Sequence, residues 1–196
     1  MKDNIKLIES FTNDLKNDII NLIHESFLER TEEGLFFSCR NISKQEMDLY
    51  CKNRKCFCYI LEDKIIGVIF FYIKNQKCNE GIVATHPKYK KNGIATALFQ
   101  ELEKYCRKNH VEFIFADTAI KAKSSVKWHE KMGFKKYKMI SFSSTNYYSW
   151  EFVKDIKNPN RNSIKRNIHL FLSSIKCLLC WDEYGKLTRI GRLFIK

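Results

Sequence analysis

The stretch Val83-Ala-Thr-His-Pro-Lys-Tyr-Lys-Lys-Asn-Gly-Ile-Ala-Thr-Ala-Leu98 decides the fold of this chain. An apolar strand ends at Thr85, a polar loop follows, and an amphipathic helix begins at Gly93 and runs to about Asn109. Backbone N–H groups at a helix start have no intrahelical partner, and the helix dipole adds positive potential there. Three lysines add charge to the same loop: Lys88, Lys90 and Lys91. The stretch therefore predicts a binding site for a pyrophosphate.

An ordinary strand–loop–helix connection has a similar pattern, and the loop lacks the GxxxxGK[ST] and GxGxxG phosphate motifs. Its residues resemble instead the acetyl-CoA-binding signature of the GNAT superfamily. In that signature an apolar strand and His-Pro precede [Arg/Gln]-x-x-Gly-x-[Gly/Ala] and a helix. The chain reads Lys90-Lys-Asn-Gly93-Ile-Ala95 at this place. It departs at Lys90, which keeps the charge of arginine without its planar fork.

A second block lies downstream, in the order that the family has. Ser125-Val-Lys-Trp-His-Glu-Lys-Met-Gly133-Phe134 resembles the Ala-x-x-Phe-Tyr-x-x-x-Gly-Phe block of GNAT members. The resemblance covers roughly residues 4–155. It implies an acetyl-CoA-dependent N-acetyltransferase domain over residues 1–155, followed by a linker and a basic amphipathic extension over 156–196.

Hydrophobic periodicity and turn signals give the same fold class. They predict a mixed, mostly antiparallel α/β sheet flanked by helices, in the order β-α-α-β-β-β-α-β-α-β-β. The predicted strands are 4–10, 56–61, 65–73, 81–85, 111–116, 134–142 and 147–153. The predicted helices begin at Thr12 or Asn13, at a capping box formed by Ser43 and Glu46, at Gly93, and at about Ser124.

The resemblance assigns the cofactor contacts mainly to the main chain. The pantetheine arm would lie along the strand at Val83 and Thr85. The pyrophosphate would meet the backbone of seven consecutive residues: Lys90, Lys91, Asn92, Gly93, Ile94, Ala95 and Thr96. Ser124 or Ser125 would cap the second-block helix, contact coenzyme A, or both, and Ser125 is the predicted contact. An asparagine that the family often has is Ala122 here.

The resemblance also implies two catalytic residues. Acyl transfer needs a neutral amine, so a base should accept its proton, and Glu80 is the counterpart of the family glutamate. The alternative for Glu80 is a solvent-exposed residue after Asn79, and His86 is a second candidate base. His129 stands where the family has a tyrosine that protonates the departing thiolate, and an imidazole can supply this proton. The alternative for His129 is a packed side chain without a chemical role.

Three functions compete. The first is transfer of acetyl from acetyl-CoA to the primary amine of a small molecule, such as an amino sugar or sugar nucleotide, by direct attack. The second is a protein or peptide N-acetyltransferase. The third is a non-catalytic coenzyme A-binding module or a basic nucleic-acid-binding protein. Acceptor contacts would come from the Gly34–Phe37 loop and from Thr145–Tyr148, whose aromatic rings either stack on a substrate or pack in the core.

Composition narrows the remaining possibilities. The formal net charge of +13 suits an anionic partner, such as a nucleotide-bearing cofactor, nucleic acid or an anionic membrane, but the lysines are scattered and charge alone does not choose among these. The family resemblance implies acetyl-CoA as the co-substrate, and we expect no nucleic acid. Eight cysteines do not form the paired CxxC sets of a zinc site, so we expect reduced thiols and no metal. Without an export signal or a long apolar run, the expected location is the cytoplasm.

The extension Ile164–Lys196 alternates apolar residues with eight basic ones, counting His169, against two acidic ones. This pattern is typical of a helix that contacts a membrane surface or a partner. A helix packed back on the domain, or against a second subunit in a homodimer, would have the same pattern. These alternatives remain open from the sequence.

Overall fold

A computed structural model of the chain describes residues 4–32, 34–158 and 164–194. The chain divides into two compact units. The first comprises Met1–Glu29 and Cys39–Glu112, and the second comprises Arg30–Ser38 and Phe113–Lys196.

The first unit contains a four-stranded antiparallel sheet in the order β1-β2-β3-β4. Its strands are β1 (Ile5–Ile8), β2 (Lys55–Leu61), β3 (Lys64–Lys74) and β4 (Lys77–Thr85). Its helices are α1 (Asn13–Glu32, whose end reaches the second unit), α2 (Lys44–Cys51) and α3 (Ile94–Lys108).

Both hairpins of this sheet close on two residues with positive φ. Glu62 and Asp63 have φ of 48° and 58°, and Asn75 and Gln76 have φ of 50° and 59°. Such tight turns match the right-handed twist of paired strands. The second turn ends at Gln76, so β4 begins well before the Gly81 that the sequence predicted as its start.

The helix starts follow the predicted side chains. Leu15 N donates to Thr12 Oγ1 at 3.3 Å, so Thr12 rather than Asn13 caps the start of α1. The capping box of α2 is complete: Glu46 N donates to Ser43 Oγ, and Ser43 N donates to Glu46 Oε2. The core between helices and sheet contains large buried side chains: Ile19, Ile23, Met47, Cys56, Val68 and Phe70.

The second unit contains a three-stranded antiparallel sheet in the order β5-β7-β6. Its elements are β5 (Phe113–Ala119), α4 (Lys123–Lys131), β6 (Lys135–Ser141), β7 (Tyr148–Asp155), α5 (Ile164–Cys180) and α6 (Arg189–Phe194). Gly133, at φ 87°, follows α4 and ends it. In the extension, α5 packs on β6, where His169 Nδ1 lies 3.1 Å from Tyr137 O.

The predicted fold class and element order are confirmed, and the extension adds two helices after β7. The predicted linker begins after residue 155, and its segment 159–163 lies outside the described residues. The division of the chain at residue 155 stays a prediction. Within the part of the chain that the structure describes, no helix combines the length and apolarity needed to cross a bilayer.

Candidate functional site

The loop after β4 is held by His86. Pro87–Tyr89 forms a short 3-10 turn, and His86 Nδ1 accepts from Lys88 N at 3.2 Å. His86 Nε2 lies 3.1 Å from Glu25 Oε2. Because Nδ1 accepts, Nε2 carries the proton and donates it to the carboxylate. Both ring nitrogens of His86 thus serve the loop structure, which argues against His86 as the base.

The start of α3 forms an open cradle of backbone amides. Gly93 is the N-cap with φ 80° and ψ 3°, and the first helical hydrogen bond runs from Ala97 N to Gly93 O at 2.8 Å. The amides of Ile94 and Ala95 therefore have no acceptor within the helix. A Cβ added at Gly93 would meet no atom within 4 Å. The predicted pyrophosphate segment thus combines outward amides, free space and the positive end of a helix dipole.

Lys90 connects this loop to α1. Its Nζ donates to Ser26 O at 3.1 Å, and its backbone N–H donates to Pro87 O at 3.2 Å. Thr85 N donates to Ser26 Oγ at 3.2 Å. Ser26 therefore fixes both ends of the loop, a role that the sequence did not reveal because Ser26 lies inside a regular helical pattern. A phosphate contact by Lys90 stays a prediction.

A β-bulge interrupts β4 beside the predicted base. Ile69 pairs with Val83 and Phe71 pairs with Glu80, so Gly81 and Ile82 together oppose one residue of β3. Tyr50 Oη accepts from Ile82 N at 3.0 Å. A Cβ at Gly81 would overlap the same hydroxyl. The Tyr50 hydroxyl thus occupies the space beside the bulge and satisfies its amide.

Arg54 holds the Tyr50 ring in turn. The guanidinium carbon lies 3.9 Å from the ring centroid, and one of its nitrogens donates to Tyr50 O at 3.2 Å. Tyr50 is a second residue that sequence reasoning missed. Its only signal was an aromatic residue near the end of a short helix, far in sequence from the strand that it contacts.

Glu80 lies within β4 and is 9% exposed. The interpretation of Glu80 as a solvent-exposed residue is therefore wrong, because the tight turn at Asn75–Gln76 leaves Glu80 inside the paired strand. A buried carboxylate next to a bulge is typical of a functional position. Its role as the base stays a prediction.

In the second unit, His129 is buried in a group of aromatic rings. The side chain is 4% exposed and stacks on Phe152 at 5.1 Å, with Trp128 at 4.9 Å. His129 Nδ1 lies 2.8 Å from Ser125 O, and a carbonyl only accepts, so Nδ1 carries a proton. Because Nδ1 keeps its proton for Ser125 O, only Nε2 could give a proton to a thiolate. Nε2 is protonated only when His129 is an imidazolium. The general-acid role stays a prediction.

Ser125 occupies the third position of α4. The N-cap is Ala122, without a side-chain capping bond, so the expectation that Ser124 or Ser125 caps this helix is wrong. Ser125 Oγ accepts from Thr118 Oγ1 at 3.0 Å. A contact between Ser125 and coenzyme A stays a prediction.

The two predicted acceptor segments lie against each other in the second unit. Phe36 N donates to Asn146 Oδ1, and Asn146 Nδ2 donates to Gly34 O, both at 2.9 Å. The Phe37 and Tyr147 rings are 5.0 Å apart, and Tyr147 is 4% exposed. Tyr147 is thus core, whereas Phe36 is 47% exposed. Asn146 fixes the loop so that Phe36 is its exposed ring.

The predicted residues fall in two places. Glu80, Val83, Thr85 and the 90–96 segment belong to the first unit, and Ser125 and His129 belong to the second. Within the described ranges, no group of three or more His, Cys, Asp and Glu side chains is arranged to hold a metal ion.

Comparison with known proteins gives a family and a fold. The sequence model of the Acetyltransferase (GNAT) family matches residues 17–134. A GNAT-family acetyltransferase described as putative, from Desulfovibrio desulfuricans, superposes with a TM-score of 0.62 at 12% identity, covering 78% of this chain and 99% of that chain. Among curated proteins, none matches the sequence.

Two further structures have named activities. An aminoglycoside 6'-N-acetyltransferase complexed with coenzyme A superposes with a TM-score of 0.58 at 16% identity, covering 81% of this chain and 99% of that chain. The ribosomal-protein-S18-alanine N-acetyltransferase of Escherichia coli superposes with a TM-score of 0.58 at 12% identity, covering 78% of this chain and 94% of that chain. At such identities the likeness establishes the fold.

Proposed function

The chain belongs to the GNAT acetyltransferase family and is an acetyl-CoA-dependent N-acetyltransferase, and we propose that its acceptor is the primary amine of a small molecule, such as an amino sugar or sugar nucleotide. The observation that carries the cofactor half of the proposal is the cradle at the start of α3. There, outward amides and the open space at Gly93 fit a pyrophosphate.

The acceptor half rests on the loop fixed by Asn146. Phe36 is 47% exposed, and two hydrogen bonds hold the backbone of its loop. An aromatic ring held in this way is suited to stack on the apolar face of a sugar or on a base. The aminoglycoside enzyme with the same fold provides a precedent for an amino-sugar acceptor. The ribosomal-protein enzyme provides one for a protein acceptor, so the two acceptor classes must be compared directly.

In the proposed reaction the acceptor nitrogen attacks the thioester carbonyl of acetyl-CoA directly. The C–N bond forms, the C–S bond breaks, and the amine proton passes to Glu80, directly or through water. Glu80 suits this role because its carboxylate is buried and is held on a rigid strand next to the bulge. The products are the N-acetyl amine and coenzyme A.

We assign His129 to the departing sulfur. It would act as the imidazolium, donating its Nε2 proton to the thiolate while Nδ1 stays bonded to Ser125 O. A purely structural role predicts that His129→Gln lowers stability and leaves kcat unchanged in the folded fraction. The proposed role predicts a lower kcat and a changed pH profile of kcat at undiminished affinity for acetyl-CoA.

We also propose that the reaction takes place in the cytoplasm. All eight cysteines are free thiols, and most of them are buried, as expected where thiols stay reduced.

The first test is calorimetric titration with acetyl-CoA and then with coenzyme A. Affinity in the micromolar range, about −8 kcal/mol, is expected. Absence of binding by folded protein would contradict the cofactor half. The second test measures thiol release with amino sugars, amino-sugar nucleotides and peptides with free N-terminal alanine. Turnover of peptides alone would replace the small-molecule acceptor by a protein acceptor, and binding without any turnover would leave a coenzyme A-binding module.

Phe36→Ala tests the acceptor surface. We expect a raised KM for the sugar acceptor with unchanged affinity for acetyl-CoA, because the ring belongs to the acceptor loop. Leu49→Ala is the matched control, since Leu49 is also an exposed apolar side chain, at 63%, but lies on α2. Equal acceptor KM values in the two variants would remove Phe36 from the acceptor surface.

A further inference from the structure

Helix α5 carries an exposed stripe of large apolar side chains. Phe171 is 64% exposed and Leu172 is 59% exposed. At about 100° per residue, the members of the stripe lie within one face of the helix. We call the following residues the apolar stripe: Ile164, Ile168, Phe171, Leu172, Ile175 and Leu179.

The opposite face of α5 is the one that packs. Cys177 and Cys180 are buried at 3% and 4%, and the His169 ring stacks on Tyr137 of β6 with a centroid distance of 4.6 Å. Helices that pack on a domain normally turn their apolar face inward. Here β6 fixes the helix with the apolar stripe outward. An exposed apolar surface of this kind marks an interaction site.

The positive charge beside the apolar stripe indicates an anionic partner. Lys165 and Lys176 are exposed and border the stripe on one side, and α5 contains no acidic residue. The short helix α6 has a similar composition, with Leu193 exposed at 76% after Arg189 and Arg192. The extension has two acidic residues, and both of them bind other groups of the same chain. Asp182 Oδ1 accepts from the backbone of Tyr184 and Lys186, and Glu183 pairs with Lys121 at 3.5 Å.

We propose that α5 is an interfacial helix that binds the surface of a bilayer containing anionic lipid. Apolar side chains would enter the boundary between headgroups and acyl chains, and the flanking lysines would meet the negative headgroups. Tyr184, 51% exposed just after α5, has the amphipathic ring favoured at such a boundary. A second copy of the chain is a poorer occupant, because an α5–α5 contact would bring the same lysines together.

The test uses the full chain and co-sedimentation with vesicles. One set of vesicles is phosphatidylcholine, and the other is phosphatidylcholine mixed with phosphatidylserine. The double variant Ile168→Gln/Phe171→Gln should weaken binding to the mixed vesicles at least about tenfold. Leu49→Gln, which removes an exposed leucine from α2, is the matched control and should bind like the wild type.

A second pair of variants tests the charge. Lys165→Gln/Lys176→Gln should weaken binding to the mixed vesicles by about fivefold per lysine. The control Lys64→Gln/Lys108→Gln removes the same charge from exposed positions in the first unit. A Phe171→Trp variant should shift its emission to the blue with the mixed vesicles, because position 171 enters the bilayer boundary.

Any of four results would overturn the proposal. The wild type could fail to sediment with either vesicle, or could bind both kinds equally. The stripe variant could bind as the wild type does. Light scattering could give a dimer that Ile168→Gln/Phe171→Gln dissociates while vesicles remain unbound, and a second copy would then cover the stripe. Acetyl-CoA affinity is measured in parallel. Normal affinity together with any of these results would contradict the membrane proposal and leave the proposed enzyme function standing.

Discussion

Replacement of Gly93 by alanine tests the cofactor cradle directly. Gly93 has φ 80°, where an L-residue costs about 1–2 kcal/mol. A Cβ there meets no atom within 4 Å, so no packing strain adds to this cost. The methyl group would instead project into the open space that we assign to the pyrophosphate. We therefore expect a modest loss of stability together with a large loss of acetyl-CoA affinity.

Gly34 provides a matched control. Its φ is 72°, and a Cβ there also meets no atom within 4 Å, so Gly34→Ala carries the same conformational cost. Each variant should lower Tm by about 2–8 °C, since 1 kcal/mol shifts Tm by about 2–4 °C at this chain length. The two variants should lose similar stability, and only Gly93→Ala should lose affinity for acetyl-CoA.

The assay is thermal unfolding with and without acetyl-CoA. At one hundred times Kd, the cofactor stabilises the wild type and Gly34→Ala by about 2.7 kcal/mol. A tenfold weaker complex, the smallest effect we expect for Gly93→Ala, would reduce this to about 1.4 kcal/mol at the same concentration. If both variants gain equal stability from acetyl-CoA, the start of α3 is not the pyrophosphate site.

Three further predictions concern the bulge, the base and the thiols. Tyr50→Phe leaves the half-buried Ile82 amide without its 3.0 Å acceptor, so we expect a loss of about 1 kcal/mol in urea unfolding and a lower kcat; an unchanged kcat would separate the bulge from catalysis. Glu80→Gln should lower kcat by about 10²–10⁴ while calorimetry gives wild-type acetyl-CoA affinity, and wild-type turnover would refute the base assignment. Burial raises the pKa of the Cys51 thiol from 9.0 to about 11. The unfolded thiol therefore ionises first, so stability should fall as pH rises from 9.0 towards 11. Urea unfolding of Cys51→Ala should show a shallower fall, and an equal fall would exclude this thiol as a cause.

Local sequence signals predicted most of the element order because each depends on a few neighbouring residues. Gly93 and Asn109 bound α3 as predicted, and Ser43 with Glu46 forms the expected capping box. The start of β4 was misplaced because Asn75–Gln76 forms a two-residue turn, whereas the sequence pattern fitted a three-residue one. That small error moved Glu80 from a buried strand position to an apparently exposed one.

The contacts that shape the candidate site are long-range, which is why sequence reasoning missed them. Asn146 binds the backbone of Phe36 across 110 positions, and Tyr50 binds Ile82 across 32. Neither pair has a periodic signal. The outward direction of the apolar stripe was equally hidden, because periodicity shows that a helix is amphipathic but not which face packs.

Sequence identity to structures of the same fold is only 12–16%. Such low identity is compatible with a shared cofactor site if the main chain, rather than side chains, makes the cofactor contacts. Pyrophosphate binding at α3 would depend on amide directions and on the left-handed conformation of Gly93, so most side chains nearby can vary. Lys90, where the sequence departs from the family signature, is an example. Its ammonium donates to Ser26 O and so stabilises the loop through a contact within the protein. Acceptor choice, in contrast, would depend on side chains such as Phe36 if the proposed acceptor surface is correct. On this proposal, substitutions in the loop around Phe36 would change the acceptor while the backbone at the start of α3 continued to bind acetyl-CoA.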